Sequence, residues 1–450
     1  MRLIRLALPV YVELLTAVVA VSLIDTLWVS GLGSAAVAAV TIAATTEYLA
    51  LGVMLAVQTG TTVLIGRRDG HQPLGPLIRT SWLLWGAVSV AVAVPGVLLR
   101  DDLARLFAED ATTASLASGF YAISLGGLPV FFAQCLVDGI FKGLGDTRTP
   151  MRTALLCNAL VIGLDPLFIY GLGLGVRGAA LATLVARLLT LMVAAVILLR
   201  RLPRTAEPAG IRSGSPRAET AAILRTGLPM SGDFLARSIV GMVLVGLVGT
   251  YGVAAQAGYG IGMKIMLAGV MVFYALRQAT MIETARTGAT TPAGALRLGL
   301  AAGVAAAVVL NVAAAPVIGW FTADPAVAGE AVWFLRCMTA YLVPFGGLIA
   351  LGGVLQASAR GGRLLAATLA GFAVQLPLAY GLSAWLSVTG VWLSMSAGTV
   401  VALALACLLG LDGLRTGRPA SPGRPAAGRG PSLAPEPRST RTAEAPQCGP

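Results

Sequence analysis

Hydrophobic residues occur along this chain in long, nearly uninterrupted runs that are separated by short polar stretches. A run of about 20 apolar residues can cross the hydrocarbon core of a bilayer as an α-helix. The alternating apolar and polar pattern of membrane β-strands is absent from the sequence. The runs therefore predict twelve transmembrane helices, over residues 8–31, 36–65, 77–99, 116–140, 151–171, 178–200, 226–249, 254–282, 294–320, 330–355, 364–386 and 389–411.

Composition agrees with this pattern and excludes several protein classes. The chain has 450 residues, of which 57% are hydrophobic and only 12% are charged. A soluble domain carries about 25% charged residues, so this chain cannot cover a surface that faces water on all sides. We expect neither a soluble enzyme nor a disordered chain nor a disulfide-rich scaffold, but an all-α polytopic membrane protein.

The residues that usually carry metal or cofactor chemistry are sparse. The five cysteines are scattered, and none belongs to a C-x-x-C pair. The single histidine, His71, follows the loop residues Arg67, Arg68 and Asp69, and no metal site can be built on it alone. No nucleotide-binding motif of the G-x-x-x-x-G-K-[ST] type occurs, so ATP is not the expected energy source. We expect no resident metal, no cofactor and no enzymatic activity.

Basic residues recur in every second connection between the predicted helices, and the intervening connections are short, nearly uncharged or acidic. Positively charged loops of membrane proteins lie on the cytoplasmic side. This alternation predicts that both termini are cytoplasmic. It also accounts for much of the net charge of +12 without any role for nucleic acid. The basic connections lie at 67–79, 142–152, 200–225, 286–297 and 360–363.

The longest predicted connection divides the chain into two halves of six helices each. We predict an N-lobe over residues 1–200, a cytoplasmic linker over 201–225, a C-lobe over 226–411 and a tail over 412–450. The tail is rich in Pro, Gly, Arg and Ser and is expected to be disordered, because it cannot bury an apolar core. A contact of its arginines with a partner or with lipid is the alternative.

The two halves share a collinear set of residues. A proline near the start of each half is followed by an acid four residues later, Glu13 in the first half and Asp233 in the second. Further along, Gln58 corresponds to Gln278, and Gly139 corresponds to Gly353. Both halves begin on the same side, so they are parallel repeats with a cavity between them. The alternative is chance similarity among segments rich in Ala, Leu and Gly.

Two acids lie deep in predicted helices of the first half. Asp25 interrupts an apolar stretch of helix 1, and Asp165 lies in helix 5, seven residues after Asn158 and just before Pro166. Ionisable groups inside a membrane are costly and usually functional. The seven-residue spacing places Asn158 and Asp165 on one helix face, and Pro166 is expected to kink the helix. Together these oxygens suit H⁺ or Na⁺; the alternative is a structural ion pair with a base such as Arg187.

A second set of polar residues in the runs is expected to line the substrate cavity. Pairing with a nearby base is the alternative for its acids. The set comprises Glu47, Gln58, Gln134, Asp138 and Gln278.

Three separated motifs resemble those of the multidrug and toxic compound extrusion (MATE) family. Residues 143–150 read GLGDTRTP, residues 164–171 read LDPLFIYG, and residues 24–26 read IDT with a GLG turn at 31–33. The single acids of helices 1 and 5 look most like the bacterial DinF-type branch. The resemblance implies that Asp25, Asn158, Asp165 and Thr183 take part in ion coupling. It departs from the family at Val161, where a second asparagine is often found, which weakens the case for Na⁺ and favours H⁺.

This resemblance implies a secondary active exporter in the bacterial plasma membrane. It would exchange H⁺, or less favourably Na⁺, for organic and often cationic compounds by rocking one lobe against the other. The expected partners are small organic molecules and membrane lipid, with no nucleic acid and no obligate protein partner. The alternative function is a flippase for a lipid-linked precursor or another lipid, from the same superfamily; the concentration of arginines in loops counts against it.

Overall fold

The computed structural model describes residues 2–68, 72–108, 110–201 and 215–415. Within these ranges the chain consists of helices and short turns. Two segments, Leu15–Ala20 and Leu167–Gly171, are wound as π-helix. The α-helices are α1 Arg2–Leu14, α2 Val21–Ser30, α3 Ser34–Arg68, α4 Gly75–Leu98, α5 Arg100–Phe107, α6 Ala111–Ser124, α7 Leu128–Gly143, α8 Arg148–Pro166, α9 Val176–Arg201, α10 Pro216–Gly249, α11 Val253–Thr287, α12 Pro292–Ile318, α13 Pro325–Cys337, α14 Thr339–Ala357, α15 Gly361–Leu386 and α16 Val388–Arg415.

The all-α, twelve-span architecture is confirmed. Ten of the helices in the described part of the chain are long and apolar enough to cross a membrane, and α6 with α7 forms an eleventh span that is bent by 51°. The span predicted over 8–31 consists of α1, a π-helical turn and α2 in succession. The fourth and tenth predicted spans are both interrupted, the latter at Met338 between α13 and α14. The two breaks occur at equivalent places in the two halves.

Three helix boundaries differ from the predicted ones. Helix α10 already begins at Pro216, within the predicted linker over 201–225, and residues 202–214 lie outside the described residues. Ser215 caps this helix by accepting a hydrogen bond from the Ala218 N–H. Lys142, predicted in a basic loop, lies in the last turn of α7 with its side chain buried. Of the predicted tail, residues 412–415 continue α16, and the expectation of disorder for 416–450 falls outside the described residues.

The two halves pack their repeated residues in the same way. Gly139 on α7 approaches α3 so closely that a β-carbon would lie 3.0 Å from Gln58 Cγ. Gly353 on α14 approaches α11 in the same manner, against the backbone carbonyl of Arg277. The buried hydrophobic residues form two main clusters, one within residues 29–223 and the other within 240–395. Glycines at these crossings allow the backbones to approach, as in other membrane helix pairs. The exact division into lobes stays a prediction.

The two halves meet tightly at the helix ends that carry the basic connections. Arg68 at the end of α3 makes two hydrogen bonds to Glu219 on α10, at 2.7 and 2.9 Å. Arg67 Nε donates to the Ala357 carbonyl across the interface at 3.0 Å. About three turns further along α10, Ser231 Oγ donates to the Gly52 carbonyl at 2.6 Å. This end of the molecule is therefore closed.

The loop motif over 143–150 forms a helix cap. The Asp146 carboxylate accepts hydrogen bonds from the N–H groups of Arg148 and Thr149, at 2.9 and 3.0 Å, and from the Thr149 hydroxyl. Arg201, at the end of α9, forms an ion pair with the same carboxylate. Burial alone would raise the pKa of Asp146, but these hydrogen bonds and Arg201 outweigh it and hold the pKa below its usual range.

Replacing Asp146 by Ala is expected to destabilise the protein by about 1 kcal/mol, because the first N–H groups of α8 lose their acceptor. The Asp146 contribution is present above the ordinary pKa of 3.8 and is lost as pH falls through the lower value in the folded protein. The midpoint of thermal unfolding (Tm), measured on detergent-solubilised protein, should be lower for D146A than for the native protein. This difference in Tm should become smaller below about pH 4. An equal difference in Tm at low and at neutral pH would contradict the capping role.

Candidate functional site

Asp25 lies in α2, five residues after the π-helical segment Leu15–Ala20. π-Helical turns carry one extra residue and are frequent at functional sites. Asn158 on α8 supports this turn, because its side-chain N–H donates to the Thr16 carbonyl at 2.9 Å. At the other end of α2, the Tyr170 hydroxyl donates to the Trp28 carbonyl at 2.5 Å. Helix 1 is thus irregular just before its acid and is held at both ends by helix 5.

Asp165 is completely buried at the end of α8, and its carboxyl group is adjacent to that of Asp25. Pro166 introduces no sharp break; the helix passes into the π-helical turn Leu167–Gly171 instead. Within the described part of the chain, three buried oxygens of these two carboxyl groups have no hydrogen-bond partner: Asp25 Oδ1 and both Asp165 oxygens. Asn158 Oδ1 is also without a partner, but it lies about two turns earlier on α8, roughly 10 Å away along the helix axis.

These oxygens form a site that needs a proton or a cation. Two ionised carboxylates side by side in an apolar region would repel each other and lose their hydration. A buried acceptor without a donor costs roughly 1–3 kcal/mol, and more for a charged group. A shared proton or a small hard cation would reduce the repulsion between the carboxylates and would give the buried oxygens a partner. These oxygens can bind either a proton or a small cation, and the proton needs fewer oxygen ligands.

The predicted structural ion pair exists, but with a different acid. Arg187 on α9 contacts Glu47 on α3 at 3.4 Å, and its guanidinium lies 4.2 Å from the centre of the Phe131 ring. Asp25 is within electrostatic reach of both Arg187 and Glu47. No ion pair of Asp25 or Asp165 occurs among the described side chains. Arg187 therefore offsets one of three neighbouring acids.

A second buried group of charges lies nearer the closed end of the first half. Lys142 Nζ contacts Glu13 at 2.7 Å, and both side chains are less than 10% exposed. Asp138, one turn before Lys142, is within electrostatic reach of this pair. The side-chain N–H of Gln134 donates to Asp138 at 3.0 Å. Asp138 and Gln134 thus contact each other, as part of a buried polar network.

The remaining predicted site residues are not brought to the two acids. Thr183 lies half-buried on α9, and no hydrogen bond joins it to either acid among the described residues. Gln58 and Gln278 are half-buried on α3 and α11, one in each half. Gln58 packs against Gly139, where it fills the helix crossing.

A cavity of about 310 Å³ lies between the halves, on the side of the molecule away from the closed end. It is bounded by the first half of α3, the second half of α10 and the first half of α11. Its lining is mostly apolar with a few polar side chains, as is typical of sites for organic molecules. Polar or aromatic lining residues are Thr45, Tyr48, Ser238, Gln256 and Tyr259.

The sequence interpretation missed one cluster, in the second half. Asp233 on α10 is 1% exposed and contacts two arginines, Arg237 on the same helix at 3.1 Å and Arg277 on α11 at 3.0 Å. The spacing of four between Asp233 and Arg237 predicts such a contact on a helix. The contribution of Arg277 could not be derived from local spacing.

The fold and these sites together define a polytopic membrane protein with two repeated halves, buried acids and a cavity between the halves. The MatE family model matches residues 9–167 and 229–381, one stretch in each half. The chain therefore belongs to the MatE family.

Two bacterial relatives illustrate the similarity. The multidrug export protein MepA of Staphylococcus aureus is 24% identical over 371 residues, which cover 79% of this chain and 81% of MepA. The probable multidrug resistance protein YoeA of Bacillus subtilis is 26% identical over 239 residues, which cover 51% of this chain and 52% of YoeA. The chain spans about half the length of the first curated relatives that it matches.

Solved structures show the same fold. An outward-facing multidrug resistance MATE transporter of the MOP superfamily has a TM-score of 0.83 and 24% identity, and the similarity covers 92% of this chain and 96% of that one. At this identity the match supports the fold alone.

Proposed function

We propose that the protein is a secondary active exporter of small organic molecules, driven by H⁺ moving inward. The observation that carries this proposal is the pair of adjacent buried carboxyl groups, Asp25 and Asp165, without a neutralising base in contact among the described residues. The family supports the transporter class, and the relatives MepA and YoeA are described as multidrug export and resistance proteins.

Protonation and cargo binding would compete in the first half. With both acids ionised, Asp25, Asp165 and Glu47 carry three negative charges against the single charge of Arg187. An organic cation would be attracted to this region and would be released when protons neutralise the acids. Linkage requires each ligand to weaken the other to the same extent.

H⁺ is favoured over Na⁺ by the number of available oxygens. Na⁺ needs several oxygen ligands, but the family position that often holds a second asparagine is Val161 here, which is fully buried and apolar. The Asn158 amide N–H is already engaged with Thr16 and leaves one side-chain oxygen free. A proton needs only one carboxylate oxygen.

The proposed location is the bacterial plasma membrane with the basic connections on the cytoplasmic side. In this orientation the closed end, at Arg67, Arg68 and Glu219, faces the cytoplasm. The cavity between the halves then lies toward the outside. The structure would correspond to the state that releases cargo and takes up protons, and rocking of the halves would open the opposite end.

Uptake of ethidium into inverted membrane vesicles tests this proposal. An imposed gradient, acidic inside the vesicles, should drive ethidium uptake, because protons leaving the vesicle would exchange for dye. Collapse of the gradient with a protonophore should abolish uptake. A sodium gradient without a pH gradient should have little effect.

The control vesicles contain an equal amount of the D25N variant, which is expected to retain the fold and which lacks one ionisable group. Uptake that continues without a pH gradient would indicate a passive channel. Uptake driven only by a sodium gradient would identify Na⁺, and not H⁺, as the coupling ion. Movement of labelled lipid without movement of dye would indicate a flippase. Each of these outcomes contradicts the proposed exchange of H⁺ for organic cargo.

A further inference from the structure

The charged cluster in the second half carries more positive charge than its acid requires. Asp233 accepts hydrogen bonds from Arg277 at 3.0 Å and from Arg237 at 3.1 and 3.3 Å. One acid and two guanidinium groups leave a net charge of +1. Because guanidinium groups do not lose their proton in proteins, this excess is permanent.

Several donors of this cluster remain unused. Arg277 Nε and the side-chain nitrogen of Gln356 are buried and have no hydrogen-bond partner among the described residues. Arg237 uses Nε and Nη2 for Asp233 and for Thr368, the latter at 3.3 Å. No hydrogen bond from Arg237 Nη1 occurs in the described part of the chain. The Arg237 side chain is 17% exposed, so a ligand can reach it.

A single arginine would suffice to neutralise Asp233. Arg277, which is 3% exposed, already makes a short contact with it. A second buried cation without its own counter-charge loses hydration without an equivalent electrostatic return. A purely structural role therefore leaves Arg237 unexplained, whereas an anion bound at Nη1 would balance its charge.

Aromatic rings surround the same guanidinium. Arg237 lies 5.3 Å from the centre of the Phe345 ring and 5.8 Å from that of Phe372. Tyr341 stacks on Phe345 with ring centres 4.8 Å apart and planes at 20°. Tyr274 meets Phe345 edge-on, with the ring centres 6.4 Å apart. Phe345 is only 3% exposed, but Tyr274, Tyr341 and Phe372 are partly exposed, so a flat ring system carrying an acidic group would find aromatic surface and a cation here.

The cluster borders the cavity between the halves. Ser238, next to Arg237 along α10, lines that cavity. Tyr274 is within electrostatic reach of Arg237 and of Tyr48, and Tyr48 lines the same cavity from α3. The cluster is therefore a neighbour of the cavity, although Arg237 and the rings around it are not among the residues that line it.

We propose that Arg237, with the aromatic residues around it, binds the carboxylate or phosphate group of a flat aromatic cargo molecule. This inference rests on the proposed exporter function, since the ligand is its cargo. It adds an anion-binding subsite in the second half to the acidic region of the first half. Cargo with both an anionic group and an aromatic plane is preferred over a lipid headgroup, because a lipid phosphate has no ring to stack on these side chains.

Two dyes that differ at one group test this assignment. Rhodamine 110 has a free carboxylate, and rhodamine 123 is its methyl ester on the same ring system. Binding of each dye to the purified full-length protein in phosphatidylcholine nanodiscs is measured by fluorescence anisotropy. In Arg237→Gln, the ratio of the Kd for rhodamine 110 to the Kd for rhodamine 123 should rise about tenfold, which is the loss expected for one charge-assisted hydrogen bond.

Two further variants complete the design. Asp233→Asn releases both arginines from their acid, so the same ratio should fall below that of the native protein. Arg336→Gln removes an exposed arginine of the same half and should leave the ratio unchanged. Native folding of each variant is checked by size-exclusion chromatography.

The assignment is overturned if the native protein does not bind rhodamine 110, or if the ratio is the same in native protein and R237Q. It is also overturned in favour of a lipid ligand if phosphatidylglycerol in the nanodiscs displaces rhodamine 110 from native protein. These binding results do not depend on a proton gradient. If the exporter proposal is wrong, ethidium uptake into vesicles would not depend on the pH gradient.

Discussion

Cells that express the Asp25→Asn variant are expected to show no more resistance to ethidium than cells without the transporter. Asparagine has nearly the same shape as aspartate but cannot take up and release a proton. The side chain lies beside Asp165 and the π-helical turn, where its carboxyl group has no ion pair among the described residues. Export should therefore stop, because the exchange of proton for cargo loses one of its two acids.

The growth assay is paired with measurement of the amount of protein in the membrane. D25N should insert at the native level, because Asn removes a buried charge and requires no new space. Asp324→Asn is the matched control: it makes the same chemical change at an exposed helix cap, where Asn also caps well. Native resistance in D25N would exclude Asp25 from ion coupling, whereas loss of inserted protein would indicate a structural role.

Replacement of Gly227 by Leu is expected to abolish export by a different route. Gly227 on α10 is buried against the backbone carbonyl of Ala56 on α3, and a β-carbon would overlap that oxygen. A backbone atom cannot move aside as a flexible side chain can. The larger side chain would therefore push α3 and α10 apart at the closed end of the molecule.

Overpacking of this kind costs about 2 kcal/mol, which corresponds to about a 30-fold shift away from the closed arrangement. The shift can be measured with Ser231→Cys, introduced in a background without other cysteines, as the target of a membrane-impermeant maleimide. Labelling from the side of the basic connections should be slow when position 227 is glycine and fast in the G227L variant. Gly246→Leu on the same helix is the control, because a β-carbon there meets nothing within 4 Å. An equal rate of labelling with and without G227L would contradict the view that the tight crossing of α3 and α10 at Gly227 keeps this end closed.

The fold was largely predictable because the bilayer imposes a length on every span. The runs around Ser34–Arg68 and Pro292–Ile318, for example, appear directly in the hydropathy pattern. The breaks near Gly127 and Met338 were not predicted, since they lie within continuous apolar runs. The first break coincides with Gly126, Gly127 and Pro129, a local signal that a hydropathy pattern does not register.

The candidate site was predictable in its residues but not in its contacts. Asp25, Asn158 and Asp165 stood out as polar groups at deep positions; the structure places the two acids side by side, whereas Asn158 contacts the Thr16 carbonyl. Lys142 was misplaced because a charge at the end of an apolar run is typical of a loop, whereas here it is buried against Glu13. Arg277 likewise finds its acid on another helix, at a sequence separation that spacing rules do not cover.

The π-helical turn before Asp25 stores one residue more than an α-helix would hold over the same height. If that turn rewinds to α geometry, every residue beyond it rotates by about 100° and advances by about 1.5 Å. The surplus residue can be absorbed at the turn that follows α2, where Gly33 has a φ of 101°. Such a rewinding would therefore change the direction in which Asp25 points relative to Asp165, with i→i+5 hydrogen bonds exchanged for i→i+4 bonds.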